Sequence, residues 1–114
     1  MTKIYLASPY THRNSGVRVS RYQKVFDFTI KLLKENYLVF SPIVYSHLLA
    51  ERGHLDTKFN FWKKLDESMI DWCDELWVYT LPGWVDSFGV TSELAYAASK
   101  NKPIHLITEA FFDE

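Results

Sequence analysis

Cysteine is almost missing from this chain: Cys73 stands alone among 114 residues, so no internal disulfide can form. Glycine and proline are sparse, four of each, and 47% of residues are hydrophobic, which excludes a disordered or collagen-like chain. Charge of either sign is not in excess. The net charge of −1 provides no long-range field to attract nucleic acid or an anionic membrane, so an anionic ligand has to be held by a local cluster of donors. No apolar run approaches the roughly 20 residues that span a bilayer. Met1-Thr2-Lys3 leads straight into a strand-like segment without a signal-peptide pattern. Together with the lone Cys73, this leads to the expectation of a soluble, cytoplasmic protein.

Familiar chemical motifs are also lacking. His12, His47, His54, His105 and Cys73 have no metal-ligand spacing, so neither a metal nor another cofactor is expected. The chain has no G-x-S-x-G nucleophile turn, and no G-x-G-x-x-G or G-x-x-x-x-G-K-[ST] loop to cradle a dinucleotide or a triphosphate.

What is present fits one domain over residues 1–114, with no repeat, linker or low-complexity segment. Aromatics are abundant at 17%, and they either line a pocket or interface or simply fill a small core. Lys3–Ala7 is a short apolar run closed by Ser8-Pro9, which predicts a buried strand. From Asn14 to Glu35, Val17, Tyr22, Val25, Phe26, Phe28, Leu32 and Leu33 approximate one face of a long helix. Tyr37–Phe40 predicts a second strand, stopped by Ser41-Pro42. A short helix is expected from Ile43 toward Leu55, and a longer one between Thr57, placed as its cap, and Cys73. Glu75–Thr80 reads as a third strand followed by turn residues, Val90–Lys100 as a helix, and Pro103–Ile107 as a fourth strand. The alternation predicts an α/β protein with a single doubly wound, Rossmann/flavodoxin-like parallel sheet of about four to five strands flanked by helices.

In such sheets ligands bind beyond the carboxyl ends of the strands, which here means Ser8–Ser15, Ser41–His47 and Leu81–Glu93. The first of these, with Ser8, Tyr10, His12 and Arg13 ahead of a helix, is either an anion site or a polar surface loop capped by Asn14 or Ser15. His47 falls in the second. Asp66 is the most informative residue. Phe59, Trp62, Met69, Ile70 and Cys73 share its helical face, and all five are apolar. A carboxylate within a buried stripe must be paired or have its pKa raised, unless it escapes to solvent at the stripe's edge. Glu93 lies in the first turns of its helix and is either functional or a favourable dipole partner. A capping box is not available to it, since Val90 three positions earlier has no side-chain oxygen. Ser87 and Gly89, just ahead, suit close approach of the backbone to a ligand.

Taken together, these segments resemble the nucleoside 2-deoxyribosyltransferase superfamily, which includes deoxynucleoside-monophosphate N-glycosidases and CMP hydrolases. The resemblance covers most of the chain. It rests on the opening strand Ile4-Tyr5-Leu6-Ala7-Ser8, on helical Asp66 eight residues before strand-opening Asp74, and on Ser87-Phe88-Gly89-Val90-Thr91-Ser92-Glu93-Leu94-Ala95-Tyr96-Ala97. That last segment reads S-x-G-x-x-x-E-L-G-x-A in the superfamily. Ala95 replaces the usual Gly, and Ser8-Pro9-Tyr10-Thr11-His12 stands where relatives have a Gly-rich stretch with Arg. Ser-Pro-Tyr at the first strand's end, Phe-Ser-Pro-Ile before His47, Cys-Asp-Glu-Leu and Leu-Pro-Gly-Trp more closely resemble a small bacterial and phage family described only as a domain of unknown function.

The resemblance implies that Glu93 is a nucleophile attacking the sugar C1′, that Asp66 assists the departing base, and that Tyr5 orients Glu93. It further implies a substrate-binding set of Ser8, Tyr10, His12, Arg13 and Ser87, to which His47 and Gly89 are added from their places in the ligand-facing segments. Ser87 is an acidic residue in nucleoside-transferring members and Ser in monophosphate-cleaving ones, which implies a 5′-phosphate site. The implied partners are a nucleotide or nucleoside substrate and further copies of the chain, as a homodimer or higher homo-oligomer. A non-catalytic nucleotide-binding or sensor domain on the same scaffold is the alternative expectation.

Overall fold

The structure, a computed structural model, describes residues 1–113. Four strands, β1 (Lys3–Ala7), β2 (Leu38–Phe40), β3 (Glu75–Tyr79) and β4 (Ile104–Ile107), alternate with the helices α1 (Ser15–Lys34), α2 (Pro42–Gly53), α3 (Phe59–Trp72) and α4 (Phe88–Ser99). All strand pairs are parallel, in the order β2-β1-β3-β4. The Rossmann/flavodoxin-like layout predicted by the alternation is therefore the one observed. The chain leaves β1 toward β2 on one side and returns to β3 on the other. This reversal opens a crevice at the carboxyl ends of β1 and β3.

The two-residue period of the strands divides the core into two layers. Ile4, Leu6, Trp77 and Tyr79 face α1, where Val25, Phe28 and Leu32 are buried. Tyr5, Ala7, Leu76 and Val78 face the opposite layer with Ile70 and Cys73 at the end of α3 and Val90 and Ala97 of α4. Both faces are covered, so β1 and β3 read as continuous apolar runs. Phe26 and Leu33 lie off the buried stripe of α1, which is narrower than its apolar residues suggest. Phe111 and Phe112, in a 3-10 turn over Glu109–Asp113, pack onto the α1 layer and were not expected there.

Helix starts follow local capping chemistry. Asn14 Oδ1 accepts from the Gly16 and Val17 amides, and Ser41 Oγ accepts from Val44 with Pro42 at the first helical position. Ser87 Oγ accepts from Val90, so α4 begins at Phe88, earlier than the predicted Val90. Thr57 does not cap α3. Asp56 Oδ1 instead takes the Lys58 amide at 2.7 Å in a local side-chain turn, and the helix starts at Phe59 with no side-chain cap. Gly83, at φ 93°, forms the left-handed corner after β3 that its Leu81-Pro82 context predicts. Among the described residues no helix is long and apolar enough to cross a membrane.

Neighbouring leucines of α1 test this register. Leu32 is fully buried and Leu33 is 52% exposed. Leu32→Ala is expected to cost about 2–5 kcal/mol and Leu33→Ala about 0.5 kcal/mol or less in denaturant unfolding. Equal losses would refute the α1 packing.

Candidate functional site

Three elements bring carboxyl groups and their partners to the crevice. β1 carries Tyr5 on the α3/α4 face, and Ser8 follows directly after Ala7, the strand's last residue. The apolar face of α3 docks on the same layer, bringing Asp66 inside with Ile70. α4 presents Glu93 in its second turn. Two tertiary ties set the spacing between α3 and α4: Tyr96 donates to the Asp71 carboxylate at 2.8 Å, and Lys102 Nζ donates to the Cys73 carbonyl at 2.7 Å. Asp74, the second aspartate of the motif, accepts from the Lys3 amide at 2.8 Å and locks the start of β1 to that of β3.

The resulting cavity has a polar floor and an aromatic wall. Ser8, Tyr10, Asp66, Ser87 and Glu93 supply the polar groups, with Phe59, Trp62, Pro42 and Ile43 around them. The Tyr5 hydroxyl donates to Glu93 Oε2 beneath the cavity. Ser8, Asp66 and Glu93 are 4%, 6% and 5% exposed, and the Ser8 hydroxyl has no hydrogen-bond partner among the described residues. A buried hydroxyl without a partner costs about 1–3 kcal/mol, so its retention in the cavity wall marks a place for a polar ligand atom.

Burial dominates the electrostatics. It pushes the Glu93 carboxyl up to about 8, with the Tyr5 hydrogen bond opposing and Asp66 adding to the rise. It pushes Asp66 up to about 7, helped by the nearby Glu67 charge. The Tyr5 phenol is held well above its ordinary value by burial and by the charges of Glu93 and Asp66, so it remains a donor. The cavity thus contains two carboxyls that both resist ionisation.

Tyr5, Ser8, Tyr10, Asp66, Ser87, Gly89 and Glu93 are brought together. His47 stands one layer back, with Nδ1 2.7 Å from the Tyr10 hydroxyl and its ring stacked on Tyr22 at 3.9 Å between centroids. His12 and Arg13 do not line the cavity. The His12 Nδ1 accepts from the Asn14 amide at 3.0 Å, and Arg13 is exposed. Arg18 grips the His12 carbonyl, while Arg21 reaches the Thr11 and Pro82 carbonyls, and these contacts hold the end of the loop that carries His12 and Arg13. Thr11 and Ser46 also line the cavity, from the two loop segments expected to face a ligand, as does Thr57, which the sequence marked only as a helix cap. Phe59 and Trp62 did, as members of the Asp66 stripe.

The raised carboxyls have a consequence for stability. The folded state keeps protons that the unfolded chain releases, so their contribution is complete at low pH and lost as pH rises from about 4 to about 8. The melting temperature is expected to fall across that interval by an amount equivalent to a few kcal/mol. Asp66→Asn/Glu93→Gln should flatten the profile, and an unchanged slope in the double variant would contradict the buried placement.

A comparison with curated proteins finds no match for the chain. A comparison with protein families finds one whose match extends from β1 past β4 and includes Tyr5, Ser8, Asp66, Ser87 and Glu93. The chain belongs to that family, described as Domain of unknown function (DUF1937), which matches residues 2–109.

Proposed function

We propose that this protein cleaves the N-glycosidic bond of (deoxy)nucleoside 5′-monophosphates, as a hydrolase or a deoxyribosyltransferase. The observation that carries the reading is the pairing of Glu93 with the Tyr5 hydroxyl in a cavity that Asp66 shares. Glu93, ionised, attacks C1′ as the C1′–N bond breaks and its electron pair passes to the base. Asp66, protonated, donates its proton to the departing base. The product is a glycosyl ester on Glu93, reached through an oxocarbenium-like state that the Asp66 and Glu93 oxygens stabilise. Water or a second base then attacks C1′ and gives up a proton to Asp66, and Glu93 departs as carboxylate. Phe59 and Trp62 offer apolar surface to the base. Ser87 Oγ accepts from the Val90 amide, which leaves its O–H for a phosphate oxygen.

This reading places the chain in the nucleoside 2-deoxyribosyltransferase superfamily, working in the reducing cytosol as a homo-oligomer. One observation favours a non-catalytic nucleotide-binding or sensor role: with its carboxyl raised to about 8, Glu93 is mostly protonated at neutral pH and then is no nucleophile. The catalytic reading answers that the two carboxyls share one proton, and the Tyr5 hydrogen bond supports the form with the charge on Glu93.

Two measurements test it. Chromatography of a panel of ribo- and deoxyribonucleoside 5′-monophosphates, with the matching nucleosides, should show free base released from at least one monophosphate. Glu93→Gln should reduce release by at least about a thousandfold while ligand affinity is retained. No release by the folded wild type would transfer the assignment to the binding role. Because the reaction needs one carboxyl ionised and the other protonated, kcat/KM should peak between about pH 7 and 8 and fall on both sides. A rate that rises steadily from pH 5 to 6 and then stays flat would exclude this division of roles.

A further inference from the structure

We infer that the buried Ser8 hydroxyl is the contact for the sugar's 2′-hydroxyl, next to the reacting carbon, and that the site therefore selects ribonucleotides over 2′-deoxyribonucleotides. The inference rests on the N-glycosidase reading above and narrows its substrate class.

The first observation is Ser8 itself. It lines the carboxyl cavity, is 4% exposed, and is the one buried side chain whose polar atom has no hydrogen-bond partner among the described residues. Other buried hydroxyls have partners: Tyr5 donates to Glu93, Thr29 donates to the Val25 carbonyl, and Ser41 accepts from the Val44 amide. An unpaired buried hydroxyl costs the free protein stability, and a ligand that supplies the missing partner recovers it.

The second observation is the depth of each polar group. Ser8, Asp66 and Glu93 are over nine-tenths buried and form the floor, whereas Ser87, at the start of α4, is half-buried at the rim. No Lys, Arg or His among the described residues lines this cavity, so nothing at the floor would offset a phosphate's repulsion from an ionised carboxyl. The phosphate belongs at the Ser87 rim, and C1′ at the floor against Glu93. A 5′-monophosphate then runs from rim to floor. Its 3′-hydroxyl, on the neighbour of C4′, stays on the rim side, while the 2′-hydroxyl, on the neighbour of C1′, reaches the floor.

The other ligand atoms at that depth already have a match. C1′ faces the nucleophile, and the base receives the Asp66 proton. The ring oxygen gains positive charge as the glycosidic bond breaks, so it is a poor acceptor for a donor there. The 2′-hydroxyl remains, and it and the Ser8 hydroxyl can each donate and accept. A 2′-deoxy sugar instead puts a methylene against Ser8 and leaves the hydroxyl unpaired, so the penalty falls on the deoxy ligand.

Calorimetric titration of the full chain, in the Glu93→Gln form to prevent turnover, tests this with the four common ribonucleoside 5′-monophosphates, their 2′-deoxy and 3′-deoxy counterparts, and the matching nucleosides. The ribo ligands are expected to bind about tenfold more tightly than the 2′-deoxy ones. Adding Ser8→Ala should weaken the ribo and 3′-deoxy ligands about tenfold, with or without phosphate, and leave the 2′-deoxy ligands unchanged. The melting temperature of the free protein should hold or rise in Ser8→Ala, and a marked fall would make Ser8 a structural residue. Equal affinity for ribo and 2′-deoxy ligands, a loss in Ser8→Ala shared by the 2′-deoxy ligands, or one confined to monophosphates would each overturn the inference and leave the N-glycosidase reading to the base-release assay. Failure of every nucleoside and monophosphate to bind would remove that reading and the inference with it.

Discussion

The hydrogen bond from Tyr5 to Glu93 is the constraint on which the rest of the site depends. Tyr5 is fully buried on the central strand, among Ala7, Leu76, Val78 and Val90. A phenol there needs an acceptor, and a carboxyl on α4 needs a donor. Each satisfies the other, which fixes α4 against β1 with Glu93 in the cavity wall. Removing either partner leaves a buried polar group unpaired, so the bond joins the architecture of the α3/α4 layer to its chemistry. The cost of burying Glu93 and Asp66 is carried by the two apolar layers around the sheet, the usual arrangement for a strained site on a rigid scaffold.

The same architecture gives the cavity a direction. The β1–α1 loop is held by Arg18 and Arg21, which spend their guanidinium groups on backbone carbonyls. Tyr10 shares a 2.7 Å hydrogen bond with His47 Nδ1. Phe59 and Trp62 stand near the start of α3 and the Ser87 hydroxyl at the start of α4, so walls of different chemistry flank the carboxyls.

Much of this was legible from the residues alone, and for definite reasons. Buried parallel strands are short apolar runs, and Ser8-Pro9 and Ser41-Pro42 mark where two of them stop, so the strand order in the chain and the α/β class followed directly. Asp66 stood out because a lone carboxylate in an apolar helical stripe has few places to go. The start of α3 differs from the expected one because Thr57 and Asp56 both carry oxygens that can accept from a helix-start amide, and the short turn from the Lys58 amide to Asp56 won. The start of α4 was placed late because Val90 is its first buried residue, whereas capping begins at Ser87. His12 and Arg13 could not be resolved from their spacing. Which way a loop faces is decided by residues one helical turn or more away, here Arg18 and Arg21. The pairing of Tyr10 with His47 is likewise invisible in sequence, since it joins segments 37 positions apart.

The electrostatics of the cavity suit the proposed chemistry better than an ordinary ionised site would. Two carboxylates in bulk-like surroundings would both be charged at neutral pH, and neither could protonate a leaving base. Here desolvation raises both, so the pair retains at least one proton at neutral pH, and any negative charge it carries is poorly solvated in the resting site. As a glycosidic bond breaks, positive charge develops on the sugar beside that anion, in surroundings from which most water is excluded. The interaction is stronger in the transition state than with the neutral sugar of the bound substrate, which is the condition for a contact to lower a barrier instead of only tightening binding. The burial that costs the fold stability as pH rises is thus the same term that, on this reading, is recovered during the reaction.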